Sequence, residues 1–283
     1  MKENRFLEYL KILELFFPKE DKKNNLKKFC SELMQTGYNV RIDCTKYSVS
    51  PHIYNQEMIN LYSKSDAFIY ELLVDSLKIE RSRKDDFIIN KIKEHFTTRN
   101  KIKILCFGDG IGSDSLKFTK LGFAVTYFDI EGKISDFASL NFKLNKVDNL
   151  IQTIFKESHL LENAYDVVIC REVLEHLEDP FKTVKKLRSY LKKDGLLFLS
   201  ESFSSVNKNF PTHLSSNLKY VNKTIELIVE IGFQYLETYN HTNLNIFKKT
   251  NLTDTSRFSS IPIKPWKIRL KKKIRDKIIY LLS

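Results

Sequence analysis

Apolar side chains recur every three or four positions along the first third of the chain. Residues 6–17 show this spacing before a proline ends the run, and it is the spacing of an amphipathic helix. Longer helical patterns follow at about 56–77 and 85–96, whereas the apolar run at 40–43 predicts a short strand. Residues 1–97 are therefore expected to form a mostly helical cap.

Beyond residue 100, short apolar runs alternate with helical patterns. Seven runs have the length of β-strands: 102–107, 124–128, 150–155, 167–170, 196–199, 233–238 and 243–247. Helical patterns follow the first, second, fourth and fifth runs, which favours right-handed βαβ units with helices on both faces of a parallel sheet. The last two runs follow each other directly and predict an antiparallel hairpin. We therefore expect an α/β domain over residues 98–250, with a seven-stranded, mostly parallel sheet and an antiparallel last strand.

Positive charge is concentrated at the C-terminus. The chain carries 47 Lys and Arg against 35 Asp and Glu, a formal net charge of +12, which favours an anionic partner. Residues 264–283 hold eight basic residues and one acidic residue, so the rest of the chain is only mildly basic. Leucines and isoleucines recur at helical spacing over 266–283. We predict a linker and a basic amphipathic tail over 251–283 that contacts an anionic membrane; packing on the body or on a second subunit is the alternative.

Neither a secretion signal nor a membrane span is expected. The first apolar stretch is interrupted by Glu8, Lys11 and Glu14, whereas a signal peptide needs an unbroken apolar core. No apolar run approaches the ~20 residues of a membrane-spanning helix. None of the four cysteines belongs to a C-x-x-C pair, so no metal site is predicted. These features predict a cytoplasmic protein, with peripheral membrane association through the tail.

A glycine-rich loop is the strongest chemical signal in the sequence. Residues 108–112 read G-D-G-I-G, between the first predicted strand and the helix after it. Glycines allow a tight turn there and let backbone N–H groups approach a ligand. The next strand, ~20 residues on, ends at Asp129, whose carboxylate can accept hydrogen bonds from both hydroxyls of a ribose. Together these residues predict a pocket for an adenosine-containing cofactor.

The identity of that cofactor follows from a family resemblance. In the dinucleotide-binding pattern G-x-G-x-x-G, the third glycine comes one residue later than it does here. G-x-G-x-G after a strand resembles the class I S-adenosylmethionine-dependent methyltransferases. Three later segments resemble the same family in the same order: AYDVVIC at 164–170, VLEHLEDP at 173–180 and LKKDGLLFL at 191–199. The resemblance implies a Rossmann-like domain with S-adenosylmethionine as its cofactor.

The same resemblance implies roles for the residues of the loop and of the second strand. Gly108, Asp109, Gly110 and Gly112 would line the methionine and ribose portion of the cofactor, Asp129 would hold the ribose hydroxyls, and Ile130 would flank the adenine. The family often has an acidic residue where Cys106 stands, and Asp109 is the candidate substitute. No clear acidic residue ends the third strand to bind the adenine amine; Glu157 and Ser158 are the nearest candidates.

Two histidines border the predicted pocket. Methyl transfer needs an aligned acceptor and, for a hydroxyl, removal of a proton, for which histidine is suited near neutral pH. His176 follows the fourth strand and His213 lies in the loop after the fifth, and ligands bind beyond the carboxyl ends of such strands. Both are candidate catalytic bases; the alternative is a structural role for His176 and an ordinary loop residue for His213. Tyr62 and Tyr70, in the cap, are interpreted as packing residues or as residues that close over the cofactor.

These observations favour O-methylation of a small, sugar-like or lipid-linked acceptor. The chain resembles small-molecule and saccharide methyltransferases, including those of surface-polysaccharide biosynthesis. An RNA methyltransferase is the second hypothesis, because the chain is basic, but RNA-binding proteins usually spread basic and aromatic residues over a recognition surface. A non-catalytic module that binds the cofactor is the third. The predicted partner is therefore a small-molecule or glycan acceptor, with nucleic acid less favoured.

Overall fold

The computed structural model describes residues 2–18, 22–97 and 101–262. The basic amphipathic helix predicted over 266–283 lies outside these ranges. The described residues form a helical cap followed by an α/β domain. Among them, none of the helices is both long enough and apolar enough to cross a lipid bilayer.

The N-terminal region is helical, as the apolar periodicity predicts. Its helices are α1 (Lys2–Phe16), α2 (Lys22–Met34), α3 (Tyr38–Lys46), α4 (Gln56–Lys64), α5 (Ala67–Ser76) and α6 (Ile79–His95). The first five share an apolar core with Ile111, Ile134 and Phe137 of the α/β domain. Helix α6 instead packs its isoleucines against the sheet. The region before residue 97 is thus joined to the α/β domain by two separate apolar contacts.

Two local predictions in the cap are wrong. The strand expected at 40–43 lies inside α3, because the Glu32 carboxylate accepts the backbone N–H groups of Gly37 and Asn39 and so caps the start of that helix. The single helix expected over 56–77 is two helices. Ser65 separates them: its hydroxyl donates to Asp43 (2.6 Å) and accepts the N–H of Ala67 (3.0 Å).

A seven-stranded sheet forms the centre of the α/β domain. The strands are β1 (Lys103–Phe107), β2 (Ala124–Phe128), β3 (Ile151–Ile154), β4 (Tyr165–Arg171), β5 (Leu191–Ser200), β6 (Phe233–Thr238) and β7 (Asn245–Lys249). Their order is β3-β2-β1-β4-β5-β7-β6. Strands β1 to β5 are parallel, and β7 is antiparallel to both of its neighbours. This confirms the predicted mostly parallel sheet with an antiparallel last strand.

Helices cover both faces of this sheet. They are α7 (Ser113–Lys120), α8 (Lys133–Leu144), α9 (Pro180–Tyr190) and α10 (Thr224–Glu230). The single helix predicted over 216–231 is instead a short 3-10 turn, Ser215–Tyr220, followed by α10. Asn222, which has a left-handed backbone (φ 62°), separates the two. The Asn217 side chain of the turn donates to the carbonyls of the segment after β4, which fixes the two loops together.

The first part of the predicted C-terminal linker packs on the domain. Residues 255–260 form a 3-10 turn beside β6, where Ser260 accepts the backbone N–H of Tyr235 (3.0 Å). Arg257 is buried and donates to the carbonyls of Val229 (3.0 Å) and Leu252 (2.8 Å). These hydrogen bonds attach residues 252–260, at the start of the predicted linker, to the α/β domain.

Candidate active site

The glycine-rich loop leaves β1 at its carboxyl end and enters α7. Gly108 and Gly110 have left-handed backbones, with φ of 69° and 55°. A Cβ on Gly108 would lie 2.5 Å from Val173 Cγ2, and one on Gly110 would lie 2.6 Å from Leu72 Cδ1. The loop is therefore enclosed by the segment after β4 on one side and by the cap helix α5 on the other. A side chain at either position would be strained in conformation and obstructed in space.

The two acidic residues of the predicted cofactor pocket have different surroundings. Asp129 accepts the N–H groups of Gly110 (2.6 Å) and Ile130 (2.7 Å), so its carboxylate lies directly against the glycine loop. Burial raises the pKa of Asp129 to about 6. Asp109 instead accepts the N–H groups of Asp114 (3.0 Å) and Ser115 (2.7 Å), which caps the start of α7. Burial, followed by the nearby Asp114 charge, raises the pKa of Asp109 to about 7.

A buried ion network lies behind the loop, and none of its members was singled out from the sequence. The Arg171 side chain, at the end of β4, is 3% exposed and pairs with Asp85 of α6 (2.8 Å) and Asp114 of α7. Arg81 also pairs with Asp114 (2.9 Å), and Lys117 pairs with Asp85 (3.1 Å). A charged residue that ends an apolar strand run was the available sequence signal. The network links α6, α7 and β4 beside the glycine loop.

The two predicted histidines lie together at the carboxyl ends of β4 and β5. Their ring centroids are 4.8 Å apart, and the Phe210 ring stacks on His213. Burial lowers the pKa of His176. Burial and the neighbouring His176 lower the pKa of His213 to about 3. Both imidazoles are therefore neutral at physiological pH, and each offers a nitrogen lone pair.

Glu175 lies beside this histidine pair, and it was not among the site residues predicted from the sequence. It is 1% exposed, and among the described residues neither of its carboxylate oxygens has a hydrogen-bond partner. The buried Nδ1 atom of His213 likewise has no partner there. Burial, followed by the Glu172 charge, raises the pKa of Glu175 well above its usual range. A buried polar group that lacks partners is costly, and a bound water molecule or ion is a common explanation for one.

Glu172 stands beside Glu175 in an unusual backbone conformation. Its φ is 54°, in the left-handed region, and strain of this kind tends to occur at functional sites. Its carboxylate accepts hydrogen bonds from Ser202 (2.5 Å) and Asn243 (2.7 Å). Although burial opposes ionisation, hydrogen bonds, chiefly that of Ser202, hold the pKa of Glu172 below its usual range. A fixed negative charge therefore borders the Glu175 and histidine group.

Glu175, His176 and His213 can together hold a metal ion. Each offers one ligand atom, and these atoms all lie within 4.8 Å of one another. Ligand atoms bound to one cation at ~2.1 Å would lie up to ~4 Å apart, so a small contraction would close the site. Two neutral imidazoles and a carboxylate suit a divalent transition metal. The cysteine pattern predicted no metal site. The signal for a group of ligands that was overlooked is the spacing of Glu172, Glu175 and His176, which is the spacing of neighbouring side chains on one helical turn.

A family comparison agrees with this fold. A sequence model described as a methyltransferase domain matches residues 77–255, well over half of the chain. The chain belongs to the class I S-adenosylmethionine-dependent methyltransferases. This confirms the family inferred from the glycine loop and the three later segments, and with it S-adenosylmethionine as the methyl donor. Helices α1 to α5 precede the matched region.

Individual proteins resemble the chain over part of their length. The ubiquinone biosynthesis O-methyltransferase of Rickettsia typhi is 32% identical over 144 residues, which are 50% of this chain and 55% of that protein. The enzyme of the same name from Colwellia psychrerythraea is 36% identical over 124 residues, 43% of this chain and 48% of that protein. The chain thus spans about half the length of the curated relatives it matches.

Solved structures of methyltransferases also align with part of this chain. One is the 1,6-didemethyltoxoflavin-N1-methyltransferase of Burkholderia thailandensis, with bound S-adenosylhomocysteine. It is 16% identical to this chain, with a TM-score of 0.44, and the alignment covers 60% of this chain and 78% of that one.

Proposed function

We propose that this protein transfers the methyl group of S-adenosylmethionine to a hydroxyl of a small acceptor, assisted by a divalent cation that Glu175, His176 and His213 bind. The observation that carries this proposal is the convergence of two buried ligands, Glu175 and His213, and the half-buried His176 at the carboxyl ends of β4 and β5. They follow Val173, which packs against Gly108 of the cofactor loop. The relatives named as O-methyltransferases support oxygen as the methylated atom. Within this proposal, a lipid-linked acceptor is favoured over a sugar-like one.

The residues of the site would have different roles in an in-line methyl transfer. The glycine loop and Asp129 would bind and orient the cofactor, and the acceptor hydroxyl would lie near the histidines. A bound divalent cation supplies Lewis acidity that lowers the pKa of a coordinated hydroxyl. Glu175 and the neutral imidazoles would hold that cation. His213, with a pKa of about 3, is too weak a base for efficient proton removal at neutral pH, so it suits ligation better. His176 remains the candidate base in a mechanism without a metal.

A transfer assay with isotopically labelled S-adenosylmethionine tests the function. Lipid-linked hydroxyl compounds, nucleotide sugars, glycans and RNA are offered in parallel, with and without EDTA. We expect label on the hydroxyl acceptors and a loss of about 100-fold or more in EDTA, comparable to the loss of a catalytic proton transfer. Added Mn²⁺ should restore the rate in the wild type but not in Glu175→Gln. Full activity in EDTA would remove the metal from the proposal, and label on RNA alone would replace the small acceptor.

The cofactor-binding role of Asp129 is tested by calorimetry with S-adenosylhomocysteine. Asp129→Ala removes a charged acceptor of two ribose hydroxyl groups and should weaken binding by ~1.5–3 kcal/mol. Asp136→Ala, on the exposed side of α8, is the matched control and should bind as the wild type does. Because the pKa of Asp129 is about 6, wild-type affinity should fall as the pH drops below that value and the carboxylate becomes protonated. Wild-type affinity in Asp129→Ala, or tight binding of NAD, would contradict this role.

Membrane contact through the basic tail stays a prediction from the sequence, since residues 263–283 lie outside the described part of the chain. Co-sedimentation with anionic vesicles, for the full chain and for a chain that ends at Pro262, tests it. Equal binding of the two chains would argue against a membrane role for the tail.

A further inference from the structure

Tyr62 reaches from the cap into the candidate active site. It lies on α4, before the first residue of the family match, and its ring stacks on Phe68 with centroids 5.0 Å apart. The Tyr62 hydroxyl is 2.9 Å from Nδ1 of His176, and the His176 ring is edge-on to the tyrosine ring. A side chain from outside the matched region therefore contacts one of the two histidines directly.

Nδ1 of His176 has a second neighbour, which is farther away than the Tyr62 hydroxyl. The backbone carbonyl oxygen of Thr212 is 3.2 Å away, and a carbonyl oxygen can only accept a hydrogen bond. The favourable neutral tautomer therefore carries its proton on Nδ1, where the Tyr62 oxygen and the Thr212 carbonyl both accept it. The lone pair of the ring then resides on Nε2. A hydrogen bond to one imidazole nitrogen commonly sets the tautomer of a histidine whose other nitrogen binds a metal.

We propose that Tyr62 is a positioning residue for methyl transfer. With the Thr212 carbonyl, it holds His176 in the tautomer with the proton on Nδ1 and leaves the Nε2 lone pair for the site that Glu175 and His213 share. The use of that lone pair rests on the proposed function; the tautomer itself does not. The cap thereby contributes to the reaction centre.

The cap also forms hydrogen bonds with the loop that carries His213, so the position of Tyr62 does not depend on its own contact with His176. His52, in the loop before α4, lies with its Nδ1 2.8 Å from the carbonyl oxygen of His213. The backbone of His52 donates to Pro211 (2.7 Å) and accepts from Ser215 (3.0 Å). These three hydrogen bonds hold the cap against the loop that carries both Thr212 and His213. Loss of the Tyr62 hydroxyl should therefore affect His176 locally, without release of the cap.

The experiment compares Tyr62→Phe with Tyr70→Phe. Tyr70 is a buried tyrosine of the same cap whose hydroxyl donates to Asn25 (2.7 Å), so the control also loses a hydrogen bond in the cap. Long-range ¹⁵N–¹H NMR spectra report the tautomer of each of the six histidines, and the signal missing from His176→Ala assigns His176. We expect the Nδ1–H form in the wild type and in Tyr70→Phe, and a mixture in Tyr62→Phe, because the Thr212 carbonyl that remains is the more distant of the two acceptors. Mn²⁺ affinity, measured by EPR, should fall by about 10- to 100-fold in Tyr62→Phe alone.

The outcomes separate this inference from the proposed function. An Nε2–H form in the wild type, or an unchanged tautomer and Mn²⁺ affinity in Tyr62→Phe, would overturn the positioning role. The NMR measurement needs neither metal nor acceptor. A wild type that binds no Mn²⁺ and keeps full activity in EDTA would overturn the metal part of the proposed function, while the tautomer comparison would still decide the role of Tyr62. Circular dichroism of both variants verifies that each is folded.

Discussion

Replacement of His176 by alanine is expected to lower kcat by about 100- to 10,000-fold. A metal ligand and a general base both require a neutral imidazole. Burial lowers the pKa of His176 and so keeps its ring neutral. Either role acts on the acceptor, so the affinity for S-adenosylmethionine should stay close to that of the wild type. His159, an exposed histidine in another short turn, is the matched control, and His159→Ala should keep full activity.

The His213→Ala variant distinguishes a metal-ligand role of the histidines from a general-base role. With a pKa of about 3, it is neutral across the physiological range, so an acid limb of the rate near pH 6.5 would belong to another group. A loss in His213→Ala as large as that in His176→Ala, together with loss of Mn²⁺ binding in both, supports ligation. Loss in His176→Ala alone, with full activity in EDTA, supports His176 as a base. If neither variant loses more than a few-fold in kcat, the reaction depends on proximity or on a different base.

The sheet could be predicted because its determinants are local. Each strand is a short apolar run, the helices between strands show their own periodicity, and the direct succession of β6 and β7 indicates a hairpin. The glycine loop and Asp129 were found for the same reason. Their hydrogen bond joins residues only 19 positions apart, on the first βαβ unit. Local sequence therefore predicted most of the fold and the closeness of Asp129 to the glycine loop.

The acceptor side depends on contacts that no local pattern encodes. Tyr62 and His176 are 114 positions apart, and His52 and His213 are 161 apart. The importance of Glu175 follows from its burial without a partner, which only the folded chain shows. The wrong strand at 40–43 has a similar origin, because the Glu32 carboxylate and the apolar core of the cap determine the conformation of α3. Tertiary interactions override weak local propensity in such segments.

The largest loss of stability is expected from Arg171→Met. The Arg171 side chain is 3% exposed, and its partners Asp85 and Asp114 are nearly as deeply buried. Removal of one partner from a buried ion pair costs about 3–5 kcal/mol, because the remaining charges lose their compensation. Arg81 and Lys117 still pair with the two carboxylates, so we expect a value near the lower end of that range. Urea unfolding at pH 7 measures it.

Arg83→Met, the same substitution at an exposed position of α6, is the control and should change the free energy of unfolding by less than about 0.5 kcal/mol. Arg171→Met combined with Asp114→Asn should recover part of the loss, since the second change removes a buried charge that the first leaves with Arg81 as its remaining partner. The sign of the pH dependence follows from Asp114. Although burial opposes ionisation, Arg171 and Arg81 hold its pKa below the usual range, so this carboxylate stabilises the fold at neutral pH and loses that effect as the pH falls through its folded pKa. The deficit of Arg171→Met should therefore be largest at pH 7 and smaller in acid. A deficit that equals that of Arg83→Met would show that the buried network contributes nothing to stability.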